Sequence, residues 1–397
     1  MKCRLETVYR SQVIFLTFAA VLAAAVTTPA QQVPANLQAA VARIDAMTAA
    51  EHAKDKVGSV TIGVVHGAHL IWTRSYGEAD AERKIPATRD TVYRIGSITK
   101  QFTALMLLQL VQEGKVSLSD PVERYFPDVN TIGGRHGSAP PITLVQLATM
   151  TAGIAREPAN LRKYLVGPVA QWDRTMIAAL GETKYDYEPG TRFFYSNIGY
   201  AILGAALGRA ANVPYTTHVE QRILAPLGMT HTAFEPNALI LPALAKGYEI
   251  DRRGAVTSDA PQREHAGRGY KVPNGALYTT VGDLARFLAF ELGEGPESVL
   301  KRATLADTQT RVHSSGARLG SGYGIGFSLT RRGEHVFLGH NGAVAGYTAQ
   351  AWIHPPSKTG FIVLRNAAGG KFDLPGLTFG AMTELANAGS AAKTSSQ

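Results

Sequence analysis

The chain has a single cysteine, Cys3, among 397 residues. It falls in a stretch that reads as a removable leader. The protein that remains is expected to hold no disulfide, no thiolate metal site and no cysteine nucleophile, and to depend on its core for stability. Apolar runs are short as well. The longest, residues 13–26, is broken by Thr17 and falls short of the roughly 20 residues a membrane span needs. The sequence has no internal repeat and no clustered His/Asp/Glu ligand pattern, so neither a metal nor an organic cofactor is expected. Basic residues are not gathered into a run, although the formal charge is +9. The densest part holds Arg252, Arg253, Arg263, Arg268 and Lys271, and Asp251, Asp259 and Glu264 dilute it. Such scatter argues against nucleic acid as a partner and leaves attraction to anionic surfaces or substrates open.

What is present starts with the leader. Lys2, Arg4 and Arg10 precede the apolar run, and small residues follow it at Ala23-Ala24-Ala25 and Thr28-Pro29-Ala30. That layout predicts a secretory signal peptide over residues 1–30, with an uncleaved anchor as the competing reading. The expectation is an exported protein, periplasmic or secreted, with no membrane span after cleavage. The roughly 365 residues left are ample for a core.

Periodicity predicts a helix over 35–55 and two strands over 59–77, joined at His66-Gly67-Ala68. Residues 98–113 read as a helix apolar around most of its circumference, which belongs in a core. Gly114 is its expected C-cap. Between 115 and 270 the chain is rich in loops, with helical patches at 142–150, 169–180 and 197–211. Strands are expected at 323–330, 335–340, 346–353 and 360–366, and a last helix at 374–387. Residues 389–397 have nothing to bury and read as a disordered tail. The pattern predicts an α/β (α+β) fold in which one sheet draws on about 31–112 and 275–388, with a mostly helical part, about 113–274, inserted between them.

Chemistry enters with Gly96-Ser97-Ile98-Thr99-Lys100. Ser97 precedes the apolar helix, and Lys100 lies one turn on along the same face. An unprotonated lysine there can take the hydroxyl proton as the serine attacks. The helix N-terminus offers amides to a developing oxyanion. Serine is also a common N-cap, and Ser298-Val299-Leu300-Lys301 and Ser390-Ala391-Ala392-Lys393 repeat the spacing. Ser298 reads as part of a surface helix and Ser390 lies in the expected tail; only Ser97 precedes a helix that reads as buried. A second signal is Tyr195-Ser196-Asn197. A tyrosine beside a lysine can relay protons, and an asparagine can bind a substrate amide and the lysine together. Without Ser97, these would read as a core aromatic and an N-cap.

The blocks IGSITKQFTALMLLQLVQEGKVSLSDPV, ITLVQLATMTAGI, FFYSNIGYAILG, PLGMTHTAFEP, NGALYTTVGDLARFL and GHNGAVAGY stand in the order seen in one family. Over roughly residues 40–385 the chain resembles the serine hydrolases related to class C β-lactamases, a family that includes D-alanyl-D-alanine carboxypeptidases, D-amino-acid amidases and esterases. The resemblance implies a β-lactamase-like fold, an antiparallel sheet flanked by helices with a mostly helical domain beside it. It implies Ser97 as the acylated nucleophile, Lys100 as its hydrogen-bonded lysine, Tyr195 as general base and Asn197 as a substrate-contacting amide. The amide of Ser97 would form half of an oxyanion hole.

Two segments compete for the family's third motif. Lys358-Thr359-Gly360 is the literal match, but Pro355-Pro356-Ser357 before it marks a turn. His340-Asn341-Gly342 ends a strand and stands in the block GHNGAVAGY, so it is the expected motif. Gly342 lets the backbone approach a substrate, and the resemblance then implies that Ala343 would supply the second oxyanion amide. Histidine is mostly neutral at pH 7, so His340 pairs less surely with a substrate carboxylate than lysine would. The substrate is therefore expected to be a small molecule or peptide, namely an ester, a D-amino-acid peptide or amide, or a β-lactam, with peptidoglycan fragments among the sources. The alternative is a catalytically silent relative that binds cell-wall peptide.

Overall fold

Strands from the two ends of the chain meet in one sheet. The computed structural model describes residues 32–134, 140–311, 313–315 and 320–394; the expected leader lies outside them. Nine antiparallel strands run in the order Ile85–Pro86, His69–Asp80, Ser59–His66, Thr359–Arg365, Tyr347–His354, His335–Val344, Ser328–Arg332, Ser321–Tyr323 and Ser314–Ser315. The seam between early and late chain lies where Val60 pairs with Arg365 and His66 with Thr359.

Both faces of the central strands are covered, which is why they read as continuous apolar runs. Phe361 and Val363 face the layer formed by helices Ala35–His52 and Leu374–Thr394, along with Val60, Ile62 and Val64. Ile362 and Leu364 face the other way, into the core built around Phe102, Phe287 and Leu288. Each such side chain, once fully buried, contributes roughly 1.5–3 kcal/mol. Helix Thr99–Gln112 is the centre of this second core, with every residue from Thr99 to Leu110 buried. It ends where expected: Gly114 is left-handed at φ +69°, and Lys115 donates its amide to Leu110 at 2.9 Å. Helix Asn197–Ala211 spans the predicted residues. The Ser196 hydroxyl caps it by accepting from the Gly199 amide at 2.9 Å.

Three expectations are corrected. The strand predicted over 323–330 is two strands, Ser321–Tyr323 and Ser328–Arg332, because the chain turns where Gly324 donates to Phe327 at 2.9 Å. Gly326, at φ +82°, carries that turn across the central helix, where a Cβ would meet that of Ala104 at 2.3 Å. The last helix runs on to Thr394, into the segment expected as a loose tail. Ser298, expected on a surface helix, instead lies in an exposed turn ahead of helix Arg302–Thr310. PPSKTG is the predicted turn: Pro355–Ser357 form a short helical turn, and Lys358 is left-handed at φ +54°. Among the described residues no helix is long and apolar enough to cross a membrane.

Candidate active site

Gly96 shapes the site. Its φ of +49° lies in the left-handed region, which a residue with a side chain enters only at a cost. The chain then makes one 3₁₀ turn, Gly96–Ile98, and continues as helix Thr99–Gln112. This leaves Ser97 half-buried and Lys100, one turn deeper, fully buried. The Ser97 amide opens the helical segment and so has no partner within it.

A strand lies directly against this turn, backbone on backbone. A Cβ on Gly96 would sit 2.8 Å from the amide nitrogen of Ala343. A Cβ on Gly342 would sit 1.9 Å from the carbonyl oxygen of Ile95 and 3.4 Å from the amide nitrogen of Ser97. Two missing side chains thus bring the amides of Ser97 and Ala343 to one seam. Gly342→Ala is expected to cost about 3 kcal/mol, since backbone cannot rotate away from a clash as a side chain can. Gly181→Ala, where a Cβ meets nothing within 4 Å, is expected to stay within about 0.5 kcal/mol. Urea unfolding of both variants checks this, and equal midpoints would refute it.

Lys100 Nζ lies 3.0 Å from Ser97 Oγ, 2.8 Å from Asn197 Oδ1 and 2.9 Å from the Asn274 carbonyl oxygen. Burial, and next the positive charge of Lys271, hold its pKa well below the ordinary lysine value. The Tyr195 ring centre is 4.9 Å from Lys100 Nζ. Burial raises the pKa of the Tyr195 phenol, an effect partly offset by the neighbouring Ser97 hydroxyl, so Tyr195 rests as a neutral phenol. The Arg156 guanidinium stands over the same ring at 4.9 Å.

Asn197 links this centre to a second group of charges. Its Nδ2 donates to Glu157 Oε1 at 2.6 Å, and its backbone carbonyl accepts from Asn274 Nδ2 at 2.9 Å. Lys271 Nζ donates to the same Glu157 oxygen at 2.9 Å, and the Tyr270 hydroxyl donates to Oε2. Burial works against ionisation of Glu157, but Lys271, Tyr270 and Asn197 together hold its carboxyl below the usual range.

His340 is 1% exposed. Its Nδ1 is 2.5 Å from the Asn341 carbonyl oxygen, which can only accept, so Nδ1 carries the proton. Nε2 then accepts from the Tyr323 hydroxyl at 3.1 Å. Burial, followed by the nearby Lys100, lowers its pKa to about 3. The ring is neutral and both its nitrogens are engaged. On that strand it is Asn341 and Ala343 that are exposed.

The structure thus gathers Ser97, Lys100, Tyr195, Asn197, His340, Gly342 and Ala343 at one place. It leaves out Lys358, whose ammonium pairs with Glu294. Thr359 pairs with His354, at the other end of strand Tyr347–His354 from Thr348, the partner of Ala343. Glu157, Tyr270, Lys271, Asn274 and Tyr323 were not foreseen. Asn274 carried the only signal, as the first residue of the block NGALYTTVGDLARFL. Among the described residues no group of His, Cys, Asp and Glu could hold a metal ion.

A nine-stranded antiparallel sheet flanked by helices, with a serine and a buried lysine at one helix start, defines the class of β-lactamase-fold serine hydrolases. The family model described as Beta-lactamase matches residues 42–380, and the chain belongs to that family. It is 29% identical over 340 residues to Beta-lactamase-like protein 2 of Dictyostelium discoideum, a match covering 82% of this chain and 59% of that protein. The chain spans only about three fifths of the length of the first curated relatives it matches. Among solved structures it is similar to the octameric penicillin-binding protein homologue from Pyrococcus abyssi, with TM-score 0.74, 26% identity, and coverage of 87% of this chain and 77% of that one. It is also similar to a D-stereospecific amidohydrolase from Streptomyces sp., with TM-score 0.67, 25% identity, and coverage of 84% and 98%.

Proposed function

We propose that the protein is an exported serine hydrolase working through an acyl-enzyme on Ser97. The observation that carries this reading is the 3.0 Å approach of Lys100 Nζ to Ser97 Oγ, in a setting where burial and the charge of Lys271 disfavour the ammonium and favour the free amine. A neutral amine has two hydrogens and one lone pair. Asn197 Oδ1 and the Asn274 carbonyl can only accept, so they take both hydrogens. The lone pair is left facing the Ser97 hydroxyl.

As Ser97 Oγ bonds to the substrate carbonyl carbon, its proton passes to Lys100 Nζ and the carbonyl electrons move to oxygen. The amides of Ser97 and Ala343 stabilise that oxyanion. The carbonyl then re-forms and the leaving group departs with a proton. Tyr195, a neutral phenol beside the nucleophile, is suited to deliver it and to recover it from Lys100. The general-base role that the resemblance implied for Tyr195 thus passes, in acylation, to Lys100. Water attacks the ester on Ser97, and the same groups work in reverse to free the acid.

His340 supports a substrate class. It is neutral with both ring nitrogens engaged, so the strand offers no cation to a β-lactam carboxylate. Esters and D-amino-acid amides are favoured, and the likeness to a D-stereospecific amidohydrolase supports the second. The basic and then apolar opening of the sequence supports export.

The test is covalent trapping. The protein is incubated separately with a fluorescent penicillin and with 4-nitrophenyl acetate, quenched in acid, digested and mapped by mass spectrometry. The expected result is ester turnover with an acyl adduct on the peptide containing Ser97. Turnover with the adduct on Ser298 or Ser390 instead would overturn the reading.

A further inference from the structure

Resting on that mechanism, we propose that Glu157 is a positioning residue that fixes which end of the Asn197 amide faces Lys100. The two ends of an asparagine amide have nearly the same shape but opposite hydrogen-bonding character. With Oδ1 toward Lys100, at 2.8 Å, Asn197 takes a hydrogen from the amine and leaves its lone pair to Ser97. With Nδ2 toward Lys100, Asn197 would donate to that lone pair. An N–H of Lys100 would then turn to Ser97, and the base would be gone. The geometry around Lys100 is equally satisfied both ways, so something outside it must decide.

Glu157 decides it. A carboxylate can only accept, so with Oε1 at 2.6 Å only Nδ2 can face it. Nothing in the backbone competes, since the Asn197 amide donates to the Arg156 carbonyl at 2.9 Å and its carbonyl accepts from Asn274. For this to hold, Glu157 must stay ionised. Lys271 at 2.9 Å and the Tyr270 hydroxyl secure that, and the Lys271 charge also offsets the pull of the carboxylate on the Lys100 proton. Glu157, Asn197 and Lys100 form one chain of hydrogen bonds, with Lys271 as its counter-charge.

The test is Glu157→Gln beside Glu157→Asp, with pH–rate profiles for 4-nitrophenyl acetate and Tm for each. A glutamine amide in place of the carboxylate can present either a donor or an acceptor, so Asn197 is released to flip. The plateau kcat of Glu157→Gln is expected to fall roughly 30-fold with KM nearly unchanged. Its acid limb is expected to move to lower pH, because an anion near Lys100 is lost while Lys271, Arg156 and Arg268 remain. Charge alone would widen activity toward acid without lowering the plateau. The two changes together are the signature of a misdirected amide. Glu157→Asp, still acceptor-only, is expected to recover most of the plateau. An unchanged plateau, a rise in KM with kcat intact, or a Glu157→Asp variant no better than Glu157→Gln would each overturn the proposal. None of these outcomes touches the acyl-enzyme on Ser97, which the trapping experiment decides separately.

Discussion

Ser97→Ala is expected to lower turnover of a chromogenic ester by at least about 10³-fold, to the level that substrate binding and the oxyanion amides sustain alone. The size follows from what the hydroxyl does. Without Oγ there is no covalent intermediate, and Lys100 has no proton to take, so the groups that act on the nucleophile lose their purpose together. The backbone amides are untouched, which is why a residue of catalysis should survive. The fold should survive as well. Ser97 is half-buried, and Lys100 keeps its contacts with Asn197 and Asn274, so the stability change is expected to be about 1 kcal/mol or less. Ser298→Ala, in an exposed turn, is expected to leave turnover unchanged. Steady-state kinetics on the two variants, with circular dichroism to establish folding, reads both outcomes. A folded Ser97→Ala protein with wild-type turnover would remove the nucleophile from the mechanism.

What could be read from the sequence was what local chemistry dictates. Ser97 and Lys100 are one helical turn apart, so their meeting follows from spacing. Two prolines and a Gly place PPSKTG in a turn, which leaves the third-motif position to His340. Helix Asn197–Ala211 and the paired strands of the C-terminal third follow from apolar periodicity and turn residues. Glu157, Lys271 and Asn274 could not be read in this way. Glu157 reaches the centre from a loop, Lys271 and Asn274 from two adjoining helical turns, and no spacing along the chain encodes contacts across 40 to 174 residues. The break at Gly326 was missed for a related reason. Its left-handed turn is set by the helix packed beneath it, at Ala104 and Lys100, and not by its neighbours in sequence. The sequence singled out His340, but its surroundings were invisible there. The ring is tied up by Tyr323, a residue expected only as the first of a strand, and so the neutral state foreseen from its ordinary pKa is reached by burial.

Lys100→Met is expected to lower kcat by about 10³-fold while leaving the protein folded. Methionine fills much the same space but offers no basic amine, so Ser97 loses the base that the proposed mechanism directs at its hydroxyl. The pH profile of the unchanged protein carries the sign. In the proposed mechanism the active form is the free amine, so activity should rise with pH through the lowered pKa of Lys100 and then level off. For an unperturbed lysine that rise would sit near about 10.4; here burial and Lys271 move it well below. Stability follows the same group. Between the lowered folded value and the ordinary one, the unfolded chain holds a proton that the folded chain does not, so stability rises with pH across that window. Lys100→Met should flatten that rise and gain relative stability at its acidic end, where the native amine is costliest to bury. Lys100→Arg, which stays charged throughout, should be inactive at every pH and less stable than either. Rates and urea midpoints for the three proteins, measured from neutral pH to beyond the ordinary lysine value of about 10.4, test all of this. An acid limb near that of free lysine, or a Lys100→Met protein with the same limb as the wild type, would assign the proton transfer to another group, with Tyr195 the next to examine.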